Sequence, residues 1–346
     1  MKIYDAMNTR NIILLISALI IISCSNSDPE FDDFDVIATY FPFQTPARTL
    51  ILGKYDQGFN DNDNAHNFEI TAVMTGIRTN NQNRNIYFEL DNSLLDNVAN
   101  VKALPPEYYT MENISPSVIP SGETKATITV QLYDAFFDDP LAFGDAQTTN
   151  YVIPLRITDI ENIDSILSGS TNVNNPDKVN PNDWDVLPKD YTLFGIKFMN
   201  KFHGNYLRRG LDMITAPTNT IGRTYQEEYV VDDEVIFVET AGLNKVRLEN
   251  LIGRGDESSP GTVAMELTFN DDGTCVVTST ADDPYGVTGT GEYVENGDEW
   301  GGKSRDVIYL DYTYVDATFA ETHAVKDTIV IRDRAAVFEE FIVEFK

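Results

Sequence analysis

The sequence predicts an all-β chain: a β-sandwich followed by a small, closed antiparallel β-barrel. Three observations carry that expectation. Apolar and polar residues alternate with period two through most of the chain. Clusters of turn-forming residues separate these runs, with no long helical pattern between them. In the C-terminal half the runs form a meander of hairpins with no obvious edge protection, and closure into a barrel solves that problem.

The first 34 residues are read apart from the fold. Lys2 and Arg10 precede an apolar run, Ile12 to Ile22, that is too short for a membrane helix, which needs about 20 residues. It suits the h-region of a signal peptide, residues 1–23. The next stretch, Ile21-Ile22-Ser23-Cys24, resembles the bacterial lipobox. That resemblance implies cleavage before Cys24 and a diacylglycerol on its thiol. Each buried CH₂ of an acyl chain contributes about 0.8 kcal/mol to membrane binding. "SNSDPEFDDFD" follows, giving an acidic tether over 24–34. It resembles the export tether of Bacteroidetes surface lipoproteins, which implies an outer-membrane location facing the cell exterior. With Cys24 acylated, Cys275 has no disulfide partner in the chain.

Residues 35–167 read as the sandwich. Phe68, Ile70 and Ala72 alternate with Glu69 and Thr71. Ile86, Phe88 and Leu90 alternate with Tyr87 and Glu89. Ile128, Val130 and Leu132 alternate with Thr127, Thr129 and Gln131. Pro154 in "YVIPLRIT" marks an edge strand, since proline donates no ladder bond. A short helix is expected at Ile160 to Leu167. Residues 168–187, rich in Asn, Pro, Asp, Gly and Ser, read as a flexible interdomain linker.

Residues 188–346 read as the barrel, opening at "LFGIKFMNKF". Met265, Leu267 and Phe269 alternate with Glu266 and Thr268. Asp272-Gly273 in "NDDGTC" is a hairpin turn. A second hairpin runs from "TGTGEYV" through "ENGDEWGGKSRD" into "VIYLDYTYV", where Ile308, Leu310, Tyr312 and Tyr314 share one face.

"RTLILGKYD", "NIYFELDNSLL" and "IPSGETKATITV" together resemble the N-terminal Ig-like domain of Bacteroidetes surface lipoproteins, a domain of unknown function found with Sus-like polysaccharide-utilisation systems. The stretch from "YTLFGIKFMNKFHGNYLRRG" to the C-terminus resembles the lipocalin-like, calycin-type barrel domain that follows it, also without assigned activity. The resemblance implies a cell-surface setting and, as a partner, an outer-membrane transporter. It implies no functional residue.

Composition excludes several functions. The formal net charge is -30, which repels nucleic acid and anionic membrane surfaces, so the lipid is the expected membrane contact. The DxxDxDxE motif of family-18-type glycosidases is absent. His66, His203 and His323 lack metal-ligand spacing, and "NDNDN" at 60–64 lacks the glycine and closing glutamate of an EF-hand, so no metal, cofactor or catalytic set is expected. His203 reads as a packing histidine and Cys275 as a buried, inert thiol.

Glycan or oligosaccharide binding needs aromatic faces beside amides and carboxylates. Trp184, flanked by Asn182, Asp183 and Asp185, and Trp300, beside Asp298 and Glu299, fit that pattern, and each could equally plug an interface or staple a hairpin. Tyr206, Tyr285 and Tyr293 are weaker. The expected function is non-catalytic glycan binding or presentation, with the barrel held out on two tethers. The alternatives are an adhesion or assembly subunit, and a glycan hydrolase with paired carboxylates in the barrel.

Overall fold

The computed structural model describes residues 34, 36–143, 148–254, 261–337 and 339–346; the signal peptide, Cys24 and nearly all of the acidic tether lie outside them. Among these residues the fold is all-β, a sandwich joined to a closed antiparallel barrel.

The sandwich contains β1 (Ala38–Tyr40), β2 (Pro46–Ile51), β3 (Asn67–Thr75), β4 (Arg84–Leu90), β5 (Lys102–Ala103), β6 (Tyr109–Glu112), β7 (Ser117–Ile119), β8 (Lys125–Leu132), β9 (Tyr151–Glu161), β10 (Ser165–Ile166) and β11 (Tyr191–Met199). One sheet has the order β10-β1-β3-β8-β6. The other runs β21-β2-β11-β9-β4-β7, with β5 also on β9 and with β21 (Glu339–Glu340) supplied by the C-terminus. The inward residues of the alternating runs, among them Phe68, Ile70, Ile86, Phe88, Ile128 and Val130, form the core between the sheets.

The structure departs from three local expectations. Pro154 lies in a central strand, between β4 and β11. It is tolerated because the β4 ladder ends at Leu90↔Leu155, and Asp91 N–H donates to the Pro154 carbonyl just beyond it (3.0 Å). The helix expected at 160–167 is the end of β9, a turn at Asn162 (φ +63°) and β10, which pairs in parallel with β1. "LFGIKFM" is not the first barrel strand: β11 pairs with β9 and, in parallel, with β2.

The expected linker is a folded loop on the sandwich. Ser170 bridges to Val186, Lys178 pairs with Asp190 at 2.7 Å, and Val179 is buried with Tyr191 and Leu193. Gly169 (φ +77°) lets the chain pass the Val186 carbonyl, which a Cβ would meet at 2.6 Å. The loop therefore gives the barrel no freedom of its own.

The barrel consists of β12 (Gly204–Ala216), β14 (Glu234–Gly242), β15 (Lys245–Arg254), β16 (Gly261–Phe269), β17 (Thr274–Ser279), β18 (Thr288–Trp300), β19 (Lys303–Asp316) and β20 (Glu321–Asp333); β13 (Asn219–Tyr225) extends β12 as a hairpin. β12 pairs with β20, closing the eight-stranded ring. Both expected hairpins form. Gly273 takes φ +90° between β16 and β17, while β18 continues through a bulge to turn at Gly301 and Gly302. Ile308, Leu310, Tyr312 and Tyr314 all point inward and are buried. Gly289 and Gly291 on β18 face Tyr312 and Leu310 on β19, leaving room for them in the lumen. The lumen is packed with side chains, among them Phe202, Tyr206, Met265 and Phe269.

The two units meet at a seam that the chain crosses at Asn200–His203 and recrosses at Arg334. Arg334 is 7% exposed and donates to carbonyls on both sides. Nε reaches His203 (2.8 Å), Nη2 reaches Asn200 (2.6 Å), and Nη1 reaches Leu52 (3.1 Å) and Lys54 (2.7 Å). Beyond the seam, Glu339 pairs with Lys197 at 2.6 Å and β21 joins β2.

Candidate functional site

The sequence singled out residues that the structure disperses. Trp184 is half-buried; its Nε1–H donates to the Asp177 carbonyl (2.8 Å) and Lys178 Nζ lies 5.7 Å from its ring. It pins the folded loop. Trp300 is half-buried at the β18–β19 turn, donates to the Ile331 carbonyl (2.9 Å), and carries the Arg305 guanidinium 4.4 Å over its ring. Tyr206 is corrected outright. It is 0% exposed, and its hydroxyl donates to the Phe202 carbonyl (2.8 Å), because the start of β12 points into the lumen; it offers no face to a ligand. Tyr293 is partly buried and donates to Asp306 (2.9 Å).

"NDNDN" is a structural turn, helix α1 (Asp61–Asn64). Asp63 is buried, accepts from Ile51 N–H (2.9 Å) and pairs with Arg48. Burial raises the Asp63 pKa, opposed by those two partners. Among the described residues no group of His, Cys, Asp and Glu is placed to hold a metal ion. Cys275 is buried, and burial pushes its thiol up to about 12.

His203 packs edge-on against Phe237, and its Nδ1 accepts from Thr240 N–H (3.1 Å), so the ring is held neutral. Burial, with Arg334 and Lys197 nearby, lowers its pKa to about 4. An unfolded histidine titrates near pH 6.5. Between those values the unfolded chain binds a proton that the folded chain does not, so stability falls as pH falls through that window. The expected contribution is about 3 kcal/mol, complete near pH 4. His203→Gln, which keeps an acceptor for Thr240, should flatten the stability profile between pH 6.5 and 4. Urea titrations at several pH values check this, and parallel profiles for both proteins would refute it.

A charged network fills the barrel end away from the seam. Arg208 Nε and the Tyr312 hydroxyl both donate to Asp327 (2.9 Å each), and Arg208 Nη1 donates to Glu234 (3.1 Å). His323 Nδ1 lies 2.6 Å from Asp212, which also accepts from the Tyr225 hydroxyl (3.1 Å). Tyr314 stacks on His323 at 4.2 Å. Burial, then Asp327, raises the Tyr312 pKa. The Asp212–His323 pair has the form of an acid–base dyad, but both side chains are 0% exposed. Here it is internal structure.

An open cleft lies on the sandwich. It has a volume of about 450 Å³ and runs between β2, β3 and β11, under the loop at Phe41–Phe43 and the returning segment at Ala336–Val337. Its walls are apolar and aromatic: Phe43 (46% exposed), Tyr55, Phe194 and Val337, with Ile70 and Met199 deeper. Phe68 stacks behind Phe194 at 5.5 Å and fixes its ring. The polar groups are few. Arg48 is held by Asp63 and by the Thr49 carbonyl (2.7 Å), and Glu69, Thr71 and Thr192 complete the lining. An apolar, aromatic hollow with a few fixed polar groups suits a sugar, whose CH faces stack on rings while its hydroxyls take polar partners. None of these residues stood out in the sequence. The one local signal is "YFPFQTP", where two prolines flank aromatics and stiffen a loop that leaves Phe43 exposed.

Comparison with known proteins places the chain. Residues 201–335 match the family model "Domain of unknown function (DUF5627)", and residues 31–164 match a second model, described as "-like, N-terminal domain". No curated protein matches the chain. A solved structure of an auxiliary nutrient binding protein from Bacteroides thetaiotaomicron is 13% identical over 85% of this chain and 95% of that one, with a TM-score of 0.35, a level at which likeness carries no argument. A solved structure of a protein of unknown function from Bacteroides ovatus is 34% identical, with a TM-score of 0.83, over 91% of this chain and 100% of that one. The chain belongs to the family of that Bacteroides ovatus protein.

Proposed function

We propose that the protein is a non-catalytic glycan-binding component of a polysaccharide-uptake system, anchored by a lipid on Cys24 to the outer face of the outer membrane. The observation that carries this reading is the aromatic cleft of about 450 Å³ on the sandwich. It is open, it presents rings on several sides, and its charged groups are few. The barrel lumen supports binding over lumenal hydrolysis, because it is packed with apolar and aromatic side chains. The lipobox and the acidic stretch after it support the location. Affinity at one cleft is expected to be weak and raised by avidity among many anchored copies.

A glycan array followed by calorimetry tests the binding. Phe43→Ala and Tyr55→Ala should each weaken the bound glycan by about tenfold, the worth of one stacked ring. Phe43 is exposed and Tyr55 partly so, so their melting temperatures should change little. No binding across plant, host and microbial glycans would defeat the proposal. Cys24→Ser should move the protein from the membrane fraction to the soluble fraction; an unchanged distribution would defeat the anchor.

A further inference from the structure

Tyr55 lines two hollows. One is the aromatic cleft; the other is a smaller space of about 60 Å³ on the seam between sandwich and barrel. Four cations line that space, Lys54, Arg305, Arg332 and Arg334, against three carboxylates, Asp56, Asp306 and Asp333. The chain as a whole carries 25 cations against 55 carboxylates, so this spot reverses the balance of the molecule.

Arg334 is committed to its carbonyls, but the other three cations are loosely held. Lys54 Nζ lies 3.9 Å from both Asp56 and Asp306 and donates a long bond to Asn296 (3.3 Å). Arg332 Nε lies 3.8 Å from Asp333, and Arg305 Nη1 lies 3.9 Å from Asp56. These separations are well beyond the tight contacts of about 2.8 Å that charged hydrogen bonds reach. Arg305 is largely buried (16% exposed), and its Nε is buried with no hydrogen-bond partner among the described residues. A buried donor left unmatched is costly. Its guanidinium nonetheless has a support, because it lies 4.4 Å over the ring of Trp300, itself anchored to the Ile331 carbonyl.

We propose that the saccharide taken by the cleft is acidic, a uronate whose carboxylate enters the seam hollow against Arg305, Lys54 and Arg332 while the neighbouring rings lie along Tyr55. This rests on the reading of the cleft as a glycan site. A hollow of about 60 Å³ has room for a carboxylate, since about 10–15 Å³ of such space suffices for one water. The planar guanidinium of Arg305 suits a two-oxygen anion. Trp300 is then a positioning residue that aims Arg305. The chain's negative field does not forbid the contact, because charges beyond about 8 Å are screened at physiological salt.

The test is calorimetry on the purified protein with oligogalacturonate, its methyl ester, a maltooligosaccharide and a sulfated oligosaccharide. Oligogalacturonate should bind about tenfold more tightly than its ester, the gain of one charge-assisted contact. Lys54→Met and Arg332→Met, at side chains 48% and 49% exposed, should fold normally and reduce that preference. Arg305→Met should abolish the preference. Equal binding of acid and ester, or binding of the neutral oligosaccharide alone, overturns the acidic ligand and leaves the cleft reading standing. Tighter binding of the sulfated oligosaccharide overturns the uronate. No binding of any saccharide overturns both readings.

Discussion

Arg334→Met should destabilise the protein by about 3–5 kcal/mol, the scale of stranding buried partners of a charged group. Methionine keeps the aliphatic stem but removes every donor. The carbonyls of Leu52, Lys54, Asn200 and His203 then lose their shared partner at the seam. The loss also changes how the molecule unfolds. Leu52 and Lys54 follow β2 of the sandwich, while Asn200 and His203 lead into the barrel, so one guanidinium ties the two units together. Denaturant unfolding should pass from one transition to two, because each unit has its own core. Arg334→Lys should recover little, since an ammonium cannot span both sides in the plane of the guanidinium fork. A stability within about 1 kcal/mol of the unmodified protein, with a single transition, would refute the latch.

The second large effect is expected inside the barrel. Asp327→Ala leaves Arg208, 1% exposed, without its nearest carboxylate and leaves the Tyr312 hydroxyl without its acceptor. Glu234 remains at 3.1 Å but is 31% exposed and cannot replace a buried partner. The expected loss is again about 3–5 kcal/mol. The pair itself adds little net stability, because both ions are desolvated. The double variant Arg208→Met, Asp327→Leu should therefore be clearly more stable than Asp327→Ala alone. Equilibrium denaturation of the three proteins decides it, and a double variant as unstable as the single one would contradict the account.

The sequence revealed most where its structure is local. Strands with one polar face, such as β3, β4 and β8, alternate cleanly because one side meets the sandwich core. The hairpins at Gly273 and Gly301–Gly302 are written in their own residues. β11 was misplaced because eight of its nine residues are buried, so it carries no alternation, and its parallel pairing with β2 joins segments far apart in the chain. The loop at 168–187 looked like a linker because its order comes from side chains, Trp184 on Asp177 and Lys178 on Asp190, rather than from any repeating pattern. Ile160, Ile163 and Leu167 have helical spacing, yet Asn162 at φ +63° turns the chain between two strands.

The candidate site was nearly invisible for a related reason. Phe43, Tyr55, Phe194 and Val337 come from four separate segments, and only the fold makes them neighbours. Trp300 drew notice as a glycan platform or a staple of its hairpin. The structure lays it against Arg305 and ties it to the Ile331 carbonyl at the seam.

The central claim is that the cleft holds the ligand. A crystal structure of the protein bound to the oligosaccharide it prefers tests this most directly. Sugar rings are expected against Phe43, Tyr55 and Phe194, with the chain end reaching toward Arg305. Sugar seated on Trp184, or along the outer wall of the barrel at Tyr309 and Thr290, with the cleft empty, would contradict it.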